Sequence, residues 1–244
     1  MQYSNLGSRM KEYENVSKLY LTKRTPVIIR IDGRAFHSFT RGFEKPFDYH
    51  LMKTMWETAR YLCENIEGCK IAYVQSDEIS LLLNNYEKLE TAAWFNNNIQ
   101  KITSISASMS TLAFNNKFKE TYDERHIKKI GKAMFDARVF TLPKEEVCNY
   151  FIWRQKDAIR NSIQMVGQAN FSHRELQGKS CEDIKQMLKE ININYDDFLT
   201  YEQRGVCIIK EQYEGANNSI RNRWVIDLGI PLFTEDRNYI EQHI

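Results

Sequence analysis

The sequence predicts an α+β fold whose first part runs in the order β-α-β-β-α-β. Short apolar runs rich in β-branched residues indicate buried strands, and longer segments with apolar residues every three or four positions indicate helices. With only four prolines and ten glycines in 244 residues, long linkers are not expected. This element order is typical of a split β-α-β sheet of the ferredoxin-like type, which we expect to carry its helices on one face.

The elements follow one another closely along the chain. Residues 1–24 are polar and predicted to be helical, and residues 27–31 form a near-continuous apolar run that predicts a buried strand. Pro46 and Asp48 mark the start of a helix with one apolar face. The later predicted elements are strands at 71–74 and 79–83, a helix over 91–115, a strand at 136–141 and a helix from Pro143 to about residue 166.

A smaller α+β region follows from residue 171 onward. It contains a predicted helix near 181–190 and predicted strands at 205–210 and 223–228. We therefore expect residues 1–170 to form the main domain and residues 171–244 to pack on it as part of one structural unit.

Composition excludes few functions. Hydrophobic residues make up 42% of the chain, enough for a sizeable core, and the net charge of +2 neither supports nor excludes nucleic-acid binding. The five cysteines include no C-x-x-C pair and are interpreted as reduced thiols of a cytosolic protein. No segment resembles a signal peptide or a membrane span, so the predicted location is the cytoplasm, without a membrane partner.

Two acidic residues stand at predicted strand ends. Asp32 follows the run 27–31, and Asp77 lies in the short connection between the strands 71–74 and 79–83. In the predicted topology these two positions become neighbours, and paired carboxylates can share the two divalent ions of a phosphoryl or nucleotidyl transferase. Taken alone, Asp32-Gly33 is also a common turn pair and residues 75–78 a common polar turn; taken together, they favour a site.

Cationic residues near these motifs allow two interpretations each. Arg41 and Lys45 could reach triphosphate oxygens or lie in a solvated loop. Arg154, Lys156 and Arg160 could contact RNA phosphates from a helix. The neighbouring aromatic residues Tyr150, Phe151 and Trp153 are expected to pack rather than to stack on bases, and His173 is expected to be structural.

The motifs together resemble the tRNA-histidine guanylyltransferase family of 3′-to-5′ nucleotide-adding polymerases. The matching segments are R-I-D-G-R-x-F-H at 30–37, G-F-E-K-P-x-D at 42–48, A-Y-x-Q-S-D-E-x-S at 72–80, Y-F-x-W-R-Q-x-D at 150–157, L-Q-G at 176–178 and N-I-N-Y at 192–195. The resemblance covers nearly the whole chain, and the order of the motifs makes it specific. It implies a fold like the palm of template-directed polymerases.

The resemblance also implies a set of site residues. Two Mg²⁺ ions would be held by Asp32, the Gly33 carbonyl and Asp77, and Glu78 would be a further acidic residue needed for activity. The remaining nucleotide-binding residues that it implies are Arg34, Ala35, Phe36, His37, Lys45 and Ser76, with Asn194 a less defined match.

The implied activity is template-dependent nucleotide addition to the 5′ end of tRNA, after activation by ATP or GTP. It would serve 5′-end repair or the addition of guanosine to histidine tRNA. The implied partners are tRNA and nucleoside triphosphates, and the implied assembly is a homotetramer. Ile159 stands where eukaryotic members have histidine, which resembles the bacterial and archaeal branch, and Asn97 and Asn98 stand where eukaryotic members tend to be basic.

Two other functions agree with the same residues. A nucleotidyl cyclase would share the sheet and the paired aspartates, and would convert GTP or ATP without RNA. A catalytically inactive tRNA-binding module would bind RNA in the presence of EDTA and incorporate no nucleotide; intact Asp32, Gly33, Asp77 and Glu78 argue against it.

Overall fold

The computed structural model describes residues 5–121, 124–215 and 219–244. Their centre is a six-stranded antiparallel sheet in the order β4-β1-β3-β2-β5-β6. The strands are β1 Val27–Gly33, β2 Cys69–Gln75, β3 Glu78–Leu83, β4 Phe135–Thr141, β5 Val206–Glu214 and β6 Ile220–Asp227. The first four have the predicted β-α-β-β-α-β order, and β5 and β6 extend the same sheet beyond β2.

Nine α-helices lie in the described residues. They are α1 Asn5–Val16, α2 Phe36–Phe39, α3 Tyr49–Asn65, α4 Ile99–Thr121, α5 Val147–Asn170, α6 His173–Leu176, α7 Cys181–Glu190, α8 Thr200–Arg204 and α9 Asn238–Glu241. As predicted, α3 begins after Asp48, whose side chain caps it by accepting a hydrogen bond from the Leu51 amide at 3.0 Å. None of the described helices is long and apolar enough to cross a membrane.

Two predicted helices have different bounds. Asn5–Val16 is the only helix that the structure describes within 1–24, and residues 1–4 of that segment lie outside the described residues. The helix predicted over 91–115 begins at Ile99 and continues to Thr121. Phe95 and Asn96 adopt left-handed backbone angles, which break the chain before that helix.

Helices α3 and α4 of the β-α-β-β-α-β part pack on one face of the sheet as expected, and α5 and the C-terminal segment cover the opposite face. Alternate residues of a strand point to opposite faces. Val27, Ile29 and Ile31 pack with α3 and α4. Ile28 packs on the opposite face with α5 and the C-terminal segment. The sheet is therefore buried between two layers. Helix α5 lies against the side chains of β1 and β3 that point to its face of the sheet.

Candidate active site

The ends of β1 and the β2–β3 hairpin lie side by side, as the sequence predicts. Asp32 pairs in register with Glu78, and the Gly33 amide donates a hydrogen bond of 3.1 Å to the Asp77 carbonyl oxygen. Asp77 occupies the two-residue turn between β2 and β3 together with Ser76. Antiparallel pairing of β1 with β3 thus brings together two aspartates that are far apart in the chain.

The Asp77 carboxylate has no cationic partner among the described ion pairs. Burial, and after it the charge of Asp32, raises the pKa of the Asp77 carboxyl to about 6, although a hydrogen bond from the Ser76 hydroxyl at 3.2 Å partly opposes this. No described ion pair includes Asp77. Two mutually repelling carboxylates without a basic partner fit a divalent cation.

The donor set is small. Within the described part of the chain, no group of three or more histidine, cysteine or acidic side chains is arranged to hold a metal ion. Mg²⁺ usually takes one or two protein carboxylates and completes its shell with water and substrate phosphates. Asp32, Asp77 and the Gly33 carbonyl therefore fit Mg²⁺ better than a metal that needs a complete protein cage.

The segment after β1 is held in a constrained shape. A Cβ atom on Gly33 would lie 2.3 Å from the Phe36 ring, so only glycine allows this ring to approach. Ala35 has a φ of 54° and Ser76 a φ of 49°, which are left-handed values that are costly for residues with a side chain. Both strained positions flank the aspartates, and α2 begins directly after Ala35 with amide groups that lack partners within the helix.

A cavity of about 560 Å³ opens beside these strand ends. Five of its lining residues are predicted nucleotide-binding residues: Phe36, His37, Lys45, Ser76 and Asp77. Arg41 also lines it. The loop that lines the cavity carries Arg41 and Lys45 together with Glu44 and Asp48, and the hairpin turn contributes Asp77.

The sequence interpretation did not include the helix α5 in this cavity. Met165 and Gln168 of α5 line the cavity together with the loop that carries Lys45. Their spacing of three positions places them on one helix face. A helical projection of residues 158–168 could have indicated this face, but no motif marks it.

Arg34 and Ala35 lie elsewhere. They line a second cavity of about 510 Å³, together with Ser38, Phe39, Lys128, Lys129, Lys132 and Met134. Arg34 and Ala35 were predicted to bind the nucleotide, but neither is among the residues that line the first cavity. The segment 34–39 therefore has one cavity on each side.

Glu78 has surroundings unlike those of Asp77. Its carboxylate accepts two hydrogen bonds of 2.7 Å from the Arg154 guanidinium and one of 2.6 Å from Arg30. Arg154 is 3% exposed, and it also contacts Asp157 at 3.0 Å. A buried ion-pair network, referred to below as the Glu78 network, thus consists of Arg30, Glu78, Arg154 and Asp157.

The predicted RNA contact of Arg154 is wrong, because its guanidinium is buried and occupied by carboxylates. Lys156 and Arg160 remain exposed, and Arg160 forms an ion pair with Asp157. Tyr150 and Phe151 are buried as predicted. Trp153 is not: it is 53% exposed, and its ring stacks against Arg154, with 4.5 Å between the ring centroid and the guanidinium carbon.

Three asparagines have local structural contacts, and His173 is exposed. The side chain of Asn97 donates to the Thr22 carbonyl at 3.0 Å, and that of Asn98 accepts from the Lys101 amide at 2.9 Å at the start of α4. Asn194 accepts from the Asp196 amide at 3.4 Å and caps the short turn that follows it. His173 is exposed at the start of α6.

Comparisons with known proteins agree on one family. Residues 7–143, more than half of the chain, match the family model described as tRNAHis guanylyltransferase (Thg1). An uncharacterised protein of Acanthamoeba polyphaga mimivirus is 30% identical over 88% of this chain and 81% of its own length. The tRNA(His) guanylyltransferase of Debaryomyces hansenii is 27% identical over 83% of this chain and 79% of its own.

Solved structures give the same result. A bacterial tRNA(His) guanylyltransferase (Thg1)-like protein in complex with ATP is 48% identical, with a TM-score of 0.90 over 98% of this chain and 99% of that chain. A similar bacterial protein in complex with GTP is 46% identical, with a TM-score of 0.85 over the same shares. The palm-like α+β fold predicted from the motifs is therefore confirmed.

Proposed function

The chain belongs to the tRNAHis guanylyltransferase family, and we propose that it adds nucleotides in the 3′-to-5′ direction to the 5′ end of tRNA. The observation that carries this proposal is the proximity of Asp32 to Asp77, which lines a cavity together with Arg41 and Lys45. Carboxylates and cationic side chains at one cavity suit a substrate that arrives as a metal-bound triphosphate.

In the proposed reaction, an oxygen of the tRNA 5′-monophosphate first attacks the α-phosphorus of ATP or GTP, which forms a phosphoanhydride and releases pyrophosphate. The 3′-hydroxyl of an incoming nucleoside triphosphate then attacks the activated 5′-phosphorus. A new P–O bond forms, the phosphoanhydride breaks, and AMP or GMP leaves. The bacterial relatives with bound ATP and GTP support both nucleotides as substrates.

We assign the Mg²⁺ ligands to Asp32, Asp77 and the Gly33 carbonyl. The chemistry that bound Mg²⁺ supplies is activation of the attacking hydroxyl and neutralisation of charge on the leaving group. The protein's own residues position the reactants: Lys45 and Arg41 offset triphosphate charge, while Ser76 and the segment 33–37 fix the turn that carries the aspartates. Glu78 fixes the strand ends through its ion pairs with Arg30 of β1 and Arg154 of α5.

We propose templated repair of shortened tRNA as the main task. Ile159 replaces the histidine of eukaryotic members, and its side chain packs against the apolar cluster that includes Ile163 and Val166 of α5. An apolar side chain there removes a polar contact that would serve addition without a template.

The decisive assay uses a tRNA transcript that lacks its first nucleotide, with each labelled nucleoside triphosphate in turn and with templates that differ in the opposing base. We expect incorporation of the complementary nucleotide only. Cyclic nucleotide formed without RNA would instead identify a cyclase, and EDTA-resistant tRNA binding without incorporation would identify a binding module.

We further propose a homo-oligomer, a tetramer by the family resemblance. Helix α1 has no buried residue, and Leu6, Met10, Tyr13 and Val16 form an exposed stripe along it. Burying such a stripe against another copy is favourable. Sedimentation velocity tests this, with Met10→Glu expected to weaken the assembly.

We also propose that residues 1–170 form the catalytic domain and that residues 171–244 complete it. We propose the cytoplasm as the place of the reaction.

A further inference from the structure

The second cavity is a basic pocket on the far side of the segment that follows Gly33. We define the basic pocket by Arg34, Ser38, Lys128, Lys129 and Lys132, with Phe39 and Met134 supplying apolar surface. Its volume of about 510 Å³ is close to the 560 Å³ of the first cavity, which is called the nucleotide cavity below because the proposed function places the nucleotide there. The two cavities share none of their lining residues.

The cations of the basic pocket differ in how they are used. The Lys129 ammonium donates to the Ser38 carbonyl at 3.3 Å and to the Phe39 carbonyl, so it fixes the end of α2. Arg34 donates only a weak 3.5 Å contact to the Met134 sulfur. Lys128 and Lys132 are exposed and take part in no ion pair with the side chains that the structure describes, those of residues 5–121, 126–215 and 219–244. Three positive charges therefore converge without neutralisation by the described side chains.

The chemistry of the pocket selects among phosphate ligands. No described lining residue is a carboxylate, so the pocket offers nothing to hold the Mg²⁺ that accompanies a nucleoside triphosphate. Phosphodiesters of RNA carry one negative charge each and are bound by lysine and arginine without a metal. Flexible, exposed lysines suit an extended backbone better than a single compact ligand.

The position of the pocket completes the inference. Arg34 directly follows Gly33, and the segment 34–39 presents Phe36 and His37 to the nucleotide cavity but Arg34, Ser38 and Phe39 to the basic pocket. We propose that the basic pocket binds backbone phosphates of the RNA substrate near its reacting 5′ end. This inference rests on the proposed function, because it takes tRNA as the substrate.

The test is the double variant Lys128→Ala/Lys132→Ala in the full chain. Its matched control is Lys119→Ala/Lys189→Ala, which removes two exposed lysines that line neither cavity. For both variants and the unmodified protein, tRNA affinity is measured by fluorescence anisotropy between 50 and 300 mM NaCl, and ATP affinity by equilibrium dialysis. Circular dichroism and thermal unfolding establish that each variant is folded.

We expect the pocket variant to bind tRNA roughly ten-fold more weakly and to lower the slope of log Kd against log salt concentration by about 2, with ATP affinity unchanged. Equal tRNA affinity and slope in the pocket and control variants would overturn the proposal. A loss of ATP affinity would overturn it as well, because the pocket would then serve the nucleotide. Failure of the proposed function is distinguishable: the unmodified protein would then bind no tRNA or add no nucleotide.

Discussion

Asp77 and Glu78 are adjacent in the sequence, yet they lie in opposite electrostatic environments. Asp77 is in the hairpin turn beside Asp32, without a cationic partner among the described ion pairs, and burial and the Asp32 charge raise its pKa to about 6. Glu78 is the first residue of β3 and faces α5, where two arginines hold its carboxylate. One acid is left to bind a ligand from outside, whereas the charge of the other is already neutralised within the protein.

The difference follows from where the strand begins. Asp77 lies in the turn at the edge of the sheet, whereas Glu78 is the first residue of β3 and its side chain lies in the layer between the sheet and α5. Stability and chemistry are therefore divided between two neighbouring carboxylates. Removing each one should affect a different measurement.

The largest expected effect is that of Asp77→Asn on activity. Loss of a metal-binding carboxylate removes several kcal/mol of transition-state stabilisation, so nucleotide addition should fall by roughly a thousand-fold. Because the raised pKa means that the ionised Asp77 carboxylate destabilises the fold near pH 7, the free energy of unfolding without Mg²⁺ should not decrease. Single-turnover incorporation and urea unfolding measure the two quantities; near-normal addition in Mg²⁺ would refute the metal assignment.

Glu78→Gln should affect the free energy of unfolding more than Asp77→Asn does. It leaves the Arg154 guanidinium buried opposite a neutral amide, and breaking a buried ion pair typically costs about 3–5 kcal/mol of unfolding free energy. The matched control is Glu211→Gln, whose partner Arg223 lies 2.7 Å away in an exposed pair and should cost less than about 1 kcal/mol. If Glu78→Gln retained its stability and still lost activity, Glu78 would act directly on substrate or metal.

A smaller effect is expected when both charges are removed. Glu78→Leu combined with Arg154→Met leaves no unpaired buried charge, and Arg30 is partly exposed and can be solvated. The double variant should therefore be about 1–3 kcal/mol more stable than the sum of the two single variants predicts. Additive losses in a double-mutant cycle would show that the Glu78 network is not coupled.

The smallest effect is expected at the outer end of the Glu78 network. Arg160 pairs with Asp157, but its side chain is 59% exposed, so water screens the interaction. Arg160→Ala should change the unfolding free energy by less than about 1 kcal/mol. A loss as large as that of Glu78→Gln would extend the buried network to the surface.

Much of the sheet could be predicted because strand signals are local. The apolar run 27–31 and the alternating segments around Gln75 and Glu78 fixed strands, and their order implied that Asp32 and Asp77 meet. The start of α3 after Asp48 could be predicted equally well, since a capping side chain acts on amides only three residues away. The bounds of α4 were not, because left-handed angles at Phe95 and Asn96 depend on packing around Asn97.

By itself, the sequence determined the order of the strands and main helices and the start of α3, and it placed two aspartates at adjoining strand ends, because periodicity and turn chemistry act over a few residues. Only the tertiary structure decided that Arg154 is buried against Glu78, 76 positions away, rather than exposed to RNA. It also decided that Arg34 lines the basic pocket while His37 lines the first cavity. The physical reason is that the environment of a charge depends on which elements pack around it, and these come from distant parts of the chain.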